Sequence, residues 1–538
     1  DTLPMGPNPD VAIGPRLVNR TRPRTVQLLG EAIAVEPNAA RRCRLAADLG
    51  ATRLSGAVEH LRTAMRDADP LVRASAARAC IEIDSAPARL SAELALLLRD
   101  PAAAVRREAV LAGAGADPQF VRDGLDDADG MVRRAALASA ATVAHADAIA
   151  ARLRGMDEPT VVCALRTLGR IGTSAHADAV AAMLGGSTPV KSAAASALGR
   201  LGGAGHAGRL ESVLEDAHPS VRAAAARSLA NPALLPPARR LELGIRLAGD
   251  SDATVRMAAA RLMGSAPDAK AAATLRRLLD DVSDSVRWAA VDGLVALGEL
   301  ATPTAVDLLG HANPRRREDG SVVLGRLRSK AALASHAEML EREAAAQNAD
   351  LGLLGSAAAA LGEIGDPSAG PALRKAAATA RRHASQQAGI DAFVAAVVAC
   401  AKVGERGIIE DAAGLIGNMN ANPRMRIAAV WATGLLADDA QKESLAGRLM
   451  GRYRAELEDS DVKYESLKAI GHMGYEPMRA TLRDIAEGRP VAAGQAEPDP
   501  MLRWIAHWAA DRIEGRKTPY TPPERDWVAD TVIRDLGD

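Results

Sequence analysis

The sequence predicts an all-α protein, a right-handed solenoid of about 14–15 stacked helical hairpins. Composition is the first reason. Of 538 residues 48% are hydrophobic, yet aromatics make up only 2%, and Ala, Leu and Val carry the apolar share. Sheets favour β-branched and aromatic side chains, whereas Ala-rich chains suit closely packed helices. The length also exceeds what one hydrophobic core ordinarily serves. The second reason is a Val-Arg pair that recurs roughly every 30 residues. It stands at Val72, Val105, Val132, Val221, Val255 and Val286, and degenerate copies near Thr160 and at Val190 fill the one wide gap. The third reason is punctuation. Pro70, Pro101, Pro159, Pro189, Pro219, Pro314, Pro423 and Pro500 each precede a run of small residues. Proline suits the first helical turn, where its missing N–H has no partner to lose. The residues before these prolines are mostly cap formers: Asp69, Asp100, Thr188, Asn313, Asn422 and Asp499.

Thirty-odd residues make two helices of about 12 residues and two turns. Counting from the Val, small or apolar residues recur at +4, +7, +8 and +11, which fall on one helical face. Val190 shows this with Ala194, Ala197, Leu198 and Leu201. Along the chain, residues 1–22 lack periodicity and read as an extended arm. Residues 23–329 hold the regular repeats. Residues 330–515 hold longer, degenerate ones, with a long loop at 487–500 inside the last hairpin. Residues 516–538 form a tail with Thr-Pro-Tyr-Thr-Pro-Pro and a short amphipathic run through Trp527 and Ile533, which either caps the last repeat or docks a partner.

The pattern D-x-x-x-V-R-x-x-A-A-x-A-L-G-x-I-G around Val190, Val286 and Val462 resembles the HEAT-repeat superfamily, in particular the short bacterial type called PBS-lyase HEAT-like repeats. The resemblance covers roughly residues 24–515. It implies that the arginine after each Val joins a ladder with acidic cap residues of a neighbouring repeat. Arg73, Arg106, Arg133, Arg222, Arg256 and Arg287 are the rungs; Lys191 and Lys463 replace arginine at two others. It also implies that second helices line the concave side.

Catalytic signatures are missing from the sequence. Gly203–Gly208 matches G-x-G-x-x-G but lies between helical hairpins, without the strand that a dinucleotide site needs. No histidine is followed by Glu, as the HEAT-like di-iron hydroxylases require, and no two histidines stand four residues apart as in a helical metal pair. No metal and no cofactor is therefore expected. Cys43, Cys80, Cys163 and Cys400 are too scattered for a disulfide framework. Lys+Arg and Asp+Glu balance at 67 each, which disfavours a nucleic-acid partner. No apolar stretch is long enough to span a membrane. The chain opens at Asp1 without Met, which leads to an expectation of export, although no signal segment is visible in the sequence.

One pattern points outward. Position +2 after the Val lies opposite the buried face. It is polar or small early, at Ala74, Arg107, Arg134 and Ala223, and apolar later, at Met257, Trp288, Val394, Ile427, Tyr464 and Trp504. Glu318 and Gly355 interrupt these six. They form either an apolar interface on the concave surface or a track covered by longer first helices. The function expected is a non-catalytic scaffold that binds a partner protein or peptide there, as a subunit of a larger assembly. Alternatives from the repeat type are a bilin-lyase-like chromophore handler and a HEAT-like DNA-binding protein.

Overall fold

A computed structural model describes residues 23–491 and 497–521. The arm at 1–22 and the amphipathic run of the tail lie outside the described residues. Every regular element among the described residues is helical, and the helices pair into fifteen consecutive hairpins. They fall into two compact units, which divide between Ser265 and Ala266. The first unit holds eight hairpins, from Pro23–Val35 with Ala39–Ala51 to Pro237–Leu247 with Ala253–Gly264. The second holds seven, from Ala269–Leu278 with Asp284–Ala296 to Arg479–Ala486 with Pro500–Ile513. This division lies upstream of residue 329, where the sequence suggests a change of repeat character. Beyond that residue the helices range from the eight-residue Arg479–Ala486 to the 17-residue Gln387–Val403.

The start signals act as capping devices. Asp69 accepts from the Leu71 N–H at 2.8 Å, Asn313 from Arg315 at 3.0 Å, and Asp499 from Leu502 at 2.9 Å. Each occupies one of the N–H groups that a helix start leaves without a partner. Pro70, Pro219, Pro314, Pro423 and Pro500 open their helices. Three expected starts shift, the first being Pro159, which is the second residue of Glu158–Ile171 behind the cap Asp157. Pro101 stays outside its helix, which begins at Ala103, because Asp100 folds back to accept the Ala102 N–H. Thr188 is the first helical residue, and Ser187 takes the cap position.

First helices in the regular repeats are shorter than a 12-residue estimate: Val58–Ala64 has seven residues and Ala177–Ala181 five, extended by 3-10 turns. The second helix of that later repeat, Thr188–Leu201, takes 14 residues. A repeat of about 30 residues then has too little chain left for two equal rods.

Valines at the repeat origin are all fully buried: Val72, Val105, Val132, Val221, Val255 and Val286 have 0% exposure. That fixes which face of each second helix turns inward. Consecutive second helices meet through glycine. A Cβ at Gly434 would stand 2.7 Å from the Ala469 Cα, and one at Gly471 2.7 Å from the Ala509 Cα. The same contact occurs between Gly362 and Ala399 and between Gly325 and Ala360. Absent side chains let the helix axes approach closely.

Candidate binding surface of the second helices

Each second helix turns one edge to its neighbours and a second row of residues away from that edge, exposed on some helices and covered on others. The committed edge carries the arginine ladder. Arg73 forks onto Asp100 at 2.7 and 3.0 Å and turns its remaining nitrogen to the carbonyls of Asp67 and Ala68 at 2.8 and 2.9 Å. Arg106 repeats this on Asp127, and Arg222 on Asp250. Arg133 pairs with Asp157, and Lys191 reaches Asp216 at 2.8 Å. Arg256 holds the carbonyls of Asp250 and Ser251, both at 2.9 Å. Two rungs escaped the sequence pattern because no Val precedes them: Arg42 forks onto Asp67, and Arg317 binds Glu343. Arg287 departs from the pattern. It donates at 2.8 Å to Asp319, inside the next second helix, where Arg316 binds the other carboxylate oxygen at 2.5 Å.

A ladder of this kind titrates in acid. The Arg42 hydrogen bond holds the Asp67 carboxyl below its ordinary value, and Arg106 does the same to Asp127. Hydrogen bonds from Thr160 and then Arg133 take Asp157 down to about 2. A carboxyl depressed on folding contributes stability that is complete above its unfolded pKa, near 3.8. That contribution is lost as pH falls through the folded value. Thermal melts should therefore show a Tm that is steady above about pH 5 and drops between about pH 4 and 2. Arg106→Gln should make that drop shallower; an identical acid profile would contradict the ladder's role.

The open face is the row at +2, +6 and +10, residues four apart and so on one stripe. In the first unit this row carries exposed arginines. They are Arg78 on Pro70–Ala79, Arg166 and Arg170 on Glu158–Ile171, Arg200 on Thr188–Leu201, Arg227 on Pro219–Leu229 and Arg261 on Ala253–Gly264. Sequence reading that followed only +2 met Ser192 and Ala223 there and passed over them; the 3.6-residue period would have extended the row to +6 and +10. Met257 lies half-buried in the same row.

In the second unit the row is neutralised and partly covered. Arg326 pairs with Asp292 at 2.7 Å, and Lys402 with Glu363. The five remaining track residues separate by exposure. Trp288 is 45% exposed, with the Arg287 guanidinium 4.7 Å from its ring centroid. Ile427 and Trp504 are half-buried. Val394 and Tyr464, at 3% and 0%, offer no surface. Tyr464 is covered by the chain itself. After Gly515, whose φ of +74° suits only glycine without strain, residues 516–521 run without regular structure across the last two second helices. The Tyr520 hydroxyl meets that of Tyr464 at 3.0 Å, and its ring packs edge-on to Trp504 and Trp508 at 5.5 and 5.4 Å. Lys468 lies 4.7 Å from the Tyr520 ring centroid, and Thr518 donates to Asp511 at 2.5 Å.

Among the described residues no group of three or more His, Cys, Asp or Glu side chains is placed to hold a metal ion. Burial pushes the Cys80 and Cys400 thiols up to about 12, so neither is poised as a nucleophile. No helix among the described residues is long and apolar enough to cross a membrane.

Comparison with known proteins agrees with this architecture. Residues 241–321 match the family model described as HEAT repeats. Among solved structures, importin beta is similar over 91% of this chain and 73% of its own, with a TM-score of 0.52 at 14% identity. Kap95 in its complex with Nup1 is similar over 91% of this chain and 84% of its own, with a TM-score of 0.56 at 11% identity. Yeast importin-beta gives 0.54 at 10% identity, over 91% and 73%. No curated protein matches the chain. The chain has an α-solenoid fold, and its residues 241–321 match HEAT repeats.

Proposed function

We propose that this chain is a non-catalytic scaffold that holds an extended segment of a partner protein on the open faces of its second helices, as one subunit of a larger assembly. The observation that carries this reading is the seating of residues 516–521. An irregular stretch of polypeptide lies on the open row and presents Tyr520 to an aromatic site built from two successive helices. The row thus has the shape and chemistry to take peptide. Trp288, the most exposed aromatic of the row, offers a second anchor of the kind that dominates protein interfaces.

Isolation from the native source after mild cross-linking tests the reading. A stoichiometric protein partner whose recovery falls with Trp288→Ala is expected; recovery of the chain alone would overturn it. The internal contact has its own test. Tyr520→Ala should red-shift the emission of Trp504 and Trp508 and lower stability by about 1–2 kcal/mol, since it removes two aromatic pairs.

A further inference from the structure

We propose that the open-face arginines of the first unit form a binding site for an acidic polypeptide segment, whose carboxylates they take helix by helix. This deepens the scaffold reading and rests on it. The charge pattern is the first argument. The four second helices from Glu158 to Gly264 contain a single carboxylate, Glu158, at the first residue of its helix. Their other cations, Lys191, Arg222 and Arg256, belong to the ladder edge. Arg166, Arg170, Arg200, Arg227 and Arg261 are exposed, and none has a carboxylate at ion-pair distance among the described residues. Arg170 is engaged only by the Ala140 carbonyl, at 2.7 Å.

The contrast with the second unit shows that this is not the default. There Arg326 and Lys402, at the equivalent +10 position, are each answered by an acid on the preceding second helix, Asp292 and Glu363. Elsewhere in the first unit, too, arginines on the ladder edge have aspartates supplied at every turn. On these four helices the open row is left with uncompensated charge. Partial burial, and next the charge of Arg261, hold the Arg227 guanidinium below its ordinary value. Two like charges held this close gain from an incoming anion.

Shape and composition select the anion. Adjacent second helices stand roughly 8–10 Å apart, and side chains on one side of an extended peptide recur about every 7 Å. Flexible arginine stems bridge that difference, and the guanidinium fork matches a carboxylate. Single-stranded nucleic acid is held by aromatic side chains on which bases stack. Before Trp288 the sequence has one aromatic residue, Phe120, and it is 3% exposed. A duplex requires phosphate contacts across a broad basic face. Here the charge is confined to one narrow stripe, because the positions beside it are the small residues Gly169, Gly199, Ala230 and Gly264, of which Gly199 and Gly264 are buried.

Fluorescence anisotropy of a fluorescein-labelled decaglutamate peptide with the full chain tests the proposal. Decaglutamine, a mixed-sequence single-stranded DNA and the matching duplex serve as competing probes. Decaglutamate should bind more tightly than the other three, with an affinity that falls as salt rises. Arg227→Gln with Arg261→Gln should weaken it about a hundredfold, each charge-assisted contact contributing roughly tenfold. Both side chains are exposed and without acidic partners, so the variant should melt as the parent does. Arg209→Gln, on the exposed side of the first helix Ala207–Ser212, should bind decaglutamate unchanged. Tighter binding of either DNA, equal binding of decaglutamine, or an arginine variant that binds as the parent does would each overturn the proposal. A native partner recovered through Trp288 would survive such a failure, so the scaffold reading and the acidic-segment reading are separately exposed to test.

Discussion

Asp319→Ala is expected to destabilise the second unit by about 3–5 kcal/mol, the usual cost of removing one member of a buried charge group. Asp319 is 1% exposed, and it receives Arg287 at 2.8 Å and Arg316 at 2.5 Å, both of them buried. Its loss leaves two guanidinium groups packed against each other, with only the exposed Asp280 and Asp284 nearby. Removing the cations as well, in Asp319→Ala with Arg287→Met and Arg316→Met, should recover much of the loss, because apolar groups need no charge partner. Urea melts followed by circular dichroism measure both. Repeats couple mainly to their neighbours, so the change should appear as an earlier, separate transition. An Asp319→Ala melt within about 1 kcal/mol of the parent would show that the cluster is not the clamp its geometry indicates.

The second large effect concerns how closely the rods lie. Gly434→Ala sets two terms against each other. Alanine is the better helix former by up to about 1 kcal/mol. Its Cβ, however, would stand 2.7 Å from the Ala469 Cα and 3.1 Å from the Ala469 carbonyl oxygen, both backbone atoms that cannot swing aside. Overpacking at such a contact costs about 1–3 kcal/mol or more. The net expectation is a loss of roughly 2 kcal/mol. Gly414, on Ile408–Ile416, is the internal control, because nothing lies within 4 Å of a Cβ built there. Gly414→Ala should stabilise by up to about 1 kcal/mol. Opposite signs for these two substitutions are a stringent check on the packing.

Much of this architecture was legible from residue order. The Val-Arg origin, the Asp and Asn caps and the Leu-Gly ending describe contacts within one hairpin or between adjacent ones, and such contacts repeat with the sequence. What escaped was non-local or lacked the marker. Arg42 and Arg317 are ladder rungs, but Arg41 and Arg316 occupy the places where Val would announce them. The partner of Arg287 lies 32 residues on, in the middle of a helix, where no cap signal points. Tyr464 looked like an exposed aromatic because the residue that covers it, Tyr520, follows 56 positions later. The open-face arginines were available to periodicity, since +6 and +10 share a stripe with +2, but a scan for apolar side chains does not register them.

Site-directed photocross-linking in the native source tests the central claim most directly. A photoreactive residue would replace Ser196 or Trp288, on the open rows, or Glu242 and Lys375, on exposed faces of first helices. The account predicts that the open-row positions capture a partner polypeptide and the first-helix positions do not. Capture from Glu242 and Lys375 alone would contradict it.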